Sequence, residues 1–316
     1  MDEEKQFLIQ AIQSQIYNDN FASAQSIAES LQVRNPADPL GDLFLAGAYL
    51  SEMTDSEDEL YTEIFKFLID TAIVKAEAQL TDADFSKTAW MYLIIGHAHA
   101  YRSLFESKFG SFTQTLKQGL AAKNAYHDGL EYDETLYDLY GGLGMYHYWK
   151  SAKAGILRWI RVFNNDMDKG IDELYLTIDS SLISADVARA ALVWIYIDKK
   201  EYLKAIAIAE YLYEKYPEGK TFLWAIGEAH YKDENYIEAI KVYNLLREKV
   251  SMNPGNYFNL VELDYLLYKS YKSAGIKAKA ESSALKIMEY VNNIPENIRK
   301  KQKDKINELV KKGSKY

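Results

Sequence analysis

Apolar positions recur along this chain with a period close to 3.6 residues, and no stretch shows the sustained alternation of a half-buried strand. The period predicts about 15 helices, at roughly 2–16, 20–32, 39–52, 56–79, 84–106, 110–130, 135–150, 167–179, 182–197, 201–215, 218–232, 235–250, 255–274, 276–291 and 295–313. No strand is needed, so the expected class is all-α. Pro36, Pro39, Pro217, Pro254 and Pro295 all fall where the period breaks, as suits a residue with no amide N–H and a ring that clashes with the preceding turn. Ser56-x-x-Glu59 reads as a capping box opening the fourth helix, with Asp55, Glu57 and Asp58 supplying negative charge at the same helix start. The glycine and ligand order of a calcium loop are missing from this acidic run.

A longer period is superimposed on the helical one. With Ala205 placed on Ala239, a step of 34, Tyr202 falls on Tyr236, Ile206 on Ile240, Leu212 on Leu246, Leu192 on Ile226 and Val193 on Gly227. Phe21, Ala24, Ala28, Leu31 and Pro36 repeat the spacing of Tyr202, Ala205, Ala209, Leu212 and Pro217. The small residue lets the second helix of a pair approach the first, the aromatic three places earlier plugs the turn, and the proline stops the second helix. On these residues the chain resembles the tetratricopeptide-repeat superfamily. The resemblance implies a superhelix of helical hairpins. Two unusually long helices near 56–79 and 84–106, and an insertion at about 150–165, make the expected superhelix irregular and partly closed. We expect one domain over residues 1–316, ending in a capping helix at about 295–313.

The stretch from Tyr137 to Leu174 departs from generic repeat sequence. It runs Tyr140-Gly141-Gly142-Leu143-Gly144-Met145-Tyr146-His147-Tyr148-Trp149, then Ile156-Leu157-Arg158-Trp159-Ile160-Arg161-Val162-Phe163, then Asp166-x-Asp168-x-Gly170. Over roughly residues 90–250 the chain is similar to the inclusion-body-clearance type of tetratricopeptide-repeat protein, in which a glycine-rich aromatic helix precedes a short apolar one. Ala152-Lys153-Ala154-Gly155 stands where that type usually has a proline pair. The resemblance implies an adaptor or binding protein without an established catalytic site, so it carries over no catalytic residue.

Composition narrows the chemistry. There is no cysteine among 316 residues, hence no disulfide, zinc ribbon, iron–sulfur cluster or thiol nucleophile. The absence of thiols also leans toward an exported, periplasmic setting over the cytoplasm, although Met1–Lys5 is no signal peptide; a chain beginning after a cleaved signal would read the same. A net charge of −9 argues against nucleic acid as partner, and the longest run without Asp, Glu, Lys or Arg, 14 residues from Thr88 to Tyr101, is too short to span a membrane. The segment from Glu296 onward is basic, with eight Lys or Arg against three acids, leaving −14 for the rest. It reads as a cap on the acidic body, with a contact for anionic lipid or an acidic partner as the alternatives.

Gly141, Gly142 and Gly144 lie in a helical pattern, so they serve close helix approach rather than a phosphate loop. Tyr140, Tyr146, His147 and Trp149, with Arg158 and Trp159 beyond the insertion, are the candidate ligand-binding residues: aromatic walls with polar tips suit a pocket for a peptide or an aromatic-stacking or apolar molecule. The same rings also suit a core, as 26 tyrosines suggest. His97 and His99 are two apart and point to different sides of a helix, so they do not share a metal; His97 pairs instead with Tyr101 by a buried hydrogen bond. No strand–turn–helix elbow presents a nucleophile. The sequence therefore points to a non-enzymatic, cofactor-free and metal-free scaffold that binds a protein or peptide. The alternative is a carrier of a small molecule or lipid in an aromatic interior.

Overall fold

The computed structural model describes residues 2–154, 166–253 and 255–313. Among them are sixteen α-helices and no strand. In chain order these are α1 (Glu3–Tyr17), α2 (Phe21–Arg34), α3 (Pro39–Ser56), α4 (Thr62–Glu77), α5 (Phe85–Phe109), α6 (Phe112–Tyr132), α7 (Asp138–Ala154) and α8 (Met167–Ser180). There follow α9 (Ala185–Asp198), α10 (Tyr202–Lys215), α11 (Thr221–Lys232), α12 (Tyr236–Ser251), α13 (Tyr257–Ser273), α14 (Lys277–Leu285), α15 (Glu296–Lys301) and α16 (Lys303–Gly313). The chain falls into two compact units, Met1–Leu192 and Val193–Tyr316.

A single turn geometry builds four of the hairpins. Asp19, Lys200, Glu234 and Gly275 each end a helix in the left-handed region, at φ between 59° and 76°. The next amide in each case closes a bond to the carbonyl five residues back: Asn20 N to Gln15 O, Glu201 N to Tyr196 O, Asn235 N to His230 O and Ile276 N to Tyr271 O, all 2.8–2.9 Å. This satisfies carbonyls that the helix end would otherwise leave unpaired. Four residues further on stand Ala24, Ala205, Ala239 and Ala280, every one buried. The last of these turns adds a copy that the 34-residue step does not reach, because Ala239 and Ala280 are 41 apart.

In the first unit α1, α3, α5 and α7 lie side by side, and α2, α4, α6 and α8 alternate with them as hairpin partners. The row closes on itself: Gln6 and Gln10 of α1 each donate a side-chain N–H to Leu182 O in the turn before α9, at 3.0 and 3.1 Å. In consequence α3 is buried on all sides from Pro39 to Ala48, and α5 nearly so from Thr88 to Gly96. In the second unit each of α10 to α14 packs on the next, and α16 docks on α14 and α13. It buries Ile306 and Leu309 in a cluster with Val261, Ala284 and Ile287.

Three helix boundaries differ from expectation. Ser56 does not open α4; it is the last residue of α3, and its hydroxyl donates to Glu52 O at 2.8 Å. Glu57 then turns left-handed at φ 56° and ends the helix, so α4 starts six residues later at Thr62. The helix expected over 276–291 gives way after Leu285 to tighter 3-10 turns at Lys286–Glu289 and Val291–Asn293. That tightening buries Ile287 and Tyr290. The terminal helix breaks at Gln302, whose buried side chain donates to Glu262 at 3.1 Å.

Candidate functional site

Helix α7 carries the sequence-predicted residues, and glycine decides how it packs. A Cβ on Gly144 would stand 2.6 Å from Gly170 O of α8, so the two backbones meet here, while one on Gly142 would enter the Tyr126 ring at 2.1 Å. Gly96 of α5 makes room for the other side of the same ring, at 2.3 Å. Tyr126 is thereby held between α5 and α7, and its hydroxyl shares a 2.8 Å hydrogen bond with His97 Nδ1. The expected His97–Tyr101 hydrogen bond is thus replaced: the two rings stack 6.5 Å apart, and the bond goes to a residue 29 places on. Burial pushes the His97 pKa down to about 4, with Asp138 opposing weakly, so the imidazole is neutral near pH 7.

The start of α7 is tied down by Asp138, 1% exposed, whose carboxylate accepts from Leu182 N at 2.9 Å, Ile183 N at 3.0 Å and Ser184 Oγ at 2.7 Å. His97, Asp138 and Ser184 line a common cavity of about 10 Å³, room for roughly one water. Their wiring is structural. Ser184 spends its proton on Asp138 and His97 faces a phenol, so the hydroxyl has no base beside it of the kind a nucleophilic serine needs.

Of the predicted ligand-binding residues, His147 is buried and its Nδ1–H donates to Glu173 Oε2 of α8 at 2.6 Å. Tyr140, Tyr146 and Trp149 are half-buried. The Tyr140 hydroxyl donates to Glu134 O at 3.3 Å. Tyr146 lies edge-on to His147, with Lys150 Nζ 5.9 Å above its ring, and Trp149 lies edge-on to buried Tyr148 at 5.2 Å. Arg158 and Trp159 lie outside the described residues. Among the described residues no three His, Asp or Glu side chains gather as a metal set.

A second surface, on the unit Val193–Tyr316, carries a pattern not anticipated from sequence. On α11, Trp224, Glu228 and Tyr231 occupy one helical face at i, i+4 and i+7; on α13, Phe258, Glu262 and Tyr265 stand at the same places, 34 residues on. All six are only partly buried, although they flank fully buried neighbours such as Leu223, Ile226, Val261 and Leu263. On α9 the position equivalent to Glu228 is Trp194, 36% exposed. The Tyr243 hydroxyl is pushed well above the usual tyrosine range, by burial first and then by Glu228, Tyr231 and Glu262. Extending the 34-residue step from Val193 and Gly227 to the positions beside them would have revealed this face.

Its two copies differ in what covers them. Over α13 lies α16: Lys305 pairs with Glu262 and sits 5.8 Å above the Tyr265 ring, and the Tyr265 hydroxyl donates to Glu308 Oε2 at 3.3 Å. Glu228 pairs with Lys232 of its own helix at 2.8 Å, and its side chain is 38% exposed against 23% for Glu262.

No family model matches the chain, and no curated protein matches it. Among solved structures it is similar to the C-terminal part of a TPR repeat-containing protein from Cytophaga hutchinsonii, with 18% sequence identity over 92% of this chain and 97% of that one, at a TM-score of 0.46. The all-helical architecture rests on the helices, turns and packing described above. No helix among the described residues is long and apolar enough to cross a membrane.

Proposed function

We propose that the chain is a non-catalytic helical-repeat scaffold that binds a segment of another protein on the face formed by Trp224, Glu228 and Tyr231 of α11, with Trp194 at its edge. The observation that carries this is the contrast between equivalent helix faces. α3 and α5 bury theirs, whereas α11 keeps a tryptophan, a tyrosine and a glutamate partly open to solvent. Half-exposed aromatic rings are expensive to leave in water and are the residue types that dominate protein interfaces. A tetratricopeptide-like hairpin array presents such residues on rigid helices without further chemistry. The likeness of residues 90–250 to the inclusion-body-clearance type agrees with an adaptor role and adds no catalytic group.

Affinity capture with the full chain tests this. A protein retained by the chain, and lost on Trp224→Ala and on Tyr231→Ala while the melting temperature stays put, supports the assignment. Equal retention by chain and variants would move the binding surface elsewhere.

A further inference from the structure

Resting on that reading of the α11 face, we propose that the segment it takes is a lysine-bearing amphipathic helix. The molecule already contains one such complex within itself. The Glu262–x–x–Tyr265 pair of α13 is read by Gln302, at the break before α16, and by Lys305 and Glu308 of α16, three residues apart: the lysine meets the carboxylate and lies over the tyrosine ring, while the flanking Gln and Glu bond Glu262 and the Tyr265 hydroxyl. Ile306 and Leu309 bury the apolar side of the same helix.

Glu228–x–x–Tyr231 repeats the pair 34 residues earlier, with Trp224 in the place of Phe258. Its charge partner is Lys232, in an exposed contact within one helix turn, and such solvent-screened pairs are weak. An incoming lysine can therefore displace Lys232 at little cost, and gains a ring face that is worth more once both groups leave water. An acidic helix would meet Glu228, a like charge against it.

The probe is a fluorescein-labelled peptide of residues 295–313 of this chain, stapled on its solvent side to hold it helical, titrated into the full chain and followed by anisotropy. Saturable binding that weakens at least tenfold on Glu228→Gln and on Tyr231→Ala, and at least tenfold when the peptide carries Lys305→Glu, is the expected result. If the Lys305→Glu peptide binds equally well and still loses affinity on Trp224→Ala, the surface stands and the lysine requirement falls. Sensitivity to Glu262→Gln but not to Glu228→Gln would mean exchange with the chain's own α16 and would also overturn the proposal. No binding by either peptide overturns both the proposal and the surface it rests on. Unchanged melting temperatures of the variants guard each comparison.

Discussion

The helix faces that one unit buries, the other leaves partly in water. In Met1–Leu192 the inner helices α3 and α5 are enclosed, and the elements around them meet through glycine: Gly144 against Gly170, and Gly96 and Gly142 against the Tyr126 ring. In Val193–Tyr316 the hairpins follow one turn geometry three times, and the equivalent faces of α11 and α13 carry half-exposed aromatics and glutamates. Irregularity therefore goes with self-satisfaction. Where long helices and glycine contacts bring the elements together, the inner helices bury every side; where the repeat stays regular, the equivalent helix faces stay partly exposed.

The largest expected effect comes from breaking the backbone contact that closes the first unit. A Cβ at Gly144 would meet a carbonyl oxygen, which cannot swing aside as a side chain can. Gly144→Ala should therefore destabilise by roughly 3 kcal/mol or more, seen as a large fall in melting temperature. At Gly227 in the second unit the obstacle is the Tyr243 ring, so the same substitution should cost less. Equal losses at both glycines would remove the distinction between closed and regular units. Of the same order is the effect of deleting a buried acid. Asp264, fully buried, holds Arg247 Nε at 2.5 Å and the Tyr290 hydroxyl at 2.7 Å. Asp264→Ala strands a partly buried guanidinium and a buried phenol, which costs about 3–5 kcal/mol by denaturant unfolding.

Sequence made the regular unit easier to read than the closed one. The alanine and aromatic positions announce the hairpins, because a small residue at a helix crossing is a local requirement. The left-handed turn residues are hidden: Asp19, Lys200 and Glu234 carry no glycine signal at positive φ and are held there by the bond that closes each helix end. Ser56 looks like a cap until Glu57 turns left-handed and extends the preceding helix to it. His97 finds Tyr126 because two glycines on different helices admit the ring, a coincidence of three segments that no local spacing reports. On the regular side, Glu228 and Tyr231 recur as Glu262 and Tyr265 at the 34-residue step, so this face was legible, and only Trp224, replaced by Phe258, changes identity.

Acid should separate the units next. His97 in the first unit titrates at about 4 when folded against 6.5 for a free imidazole. Its neutral form is favoured by folding, so this contribution is complete above pH 6.5 and is lost as pH falls from 6.5 through 4. His97→Gln should flatten the fall in melting temperature over that window. An unchanged slope would mean that His97 charges freely through its small cavity.

The smallest effect is a gain, and it marks where glycine is not needed. Gly119 lies in the interior of α6, and a Cβ there would find only Ser103 Oγ at 3.5 Å, an ordinary contact. Gly119→Ala removes backbone freedom from the unfolded chain without a clash, so it should stabilise by about 0.5–1 kcal/mol, or roughly 1–4 °C in melting temperature for a unit of this size. Gly144→Ala is the same chemical change in the same unit with the opposite sign. If Gly119→Ala destabilised instead, α5 and α6 would pack more tightly along this stretch than a 3.5 Å contact allows, and the closed character of the first unit would extend to the outer end of its longest hairpin.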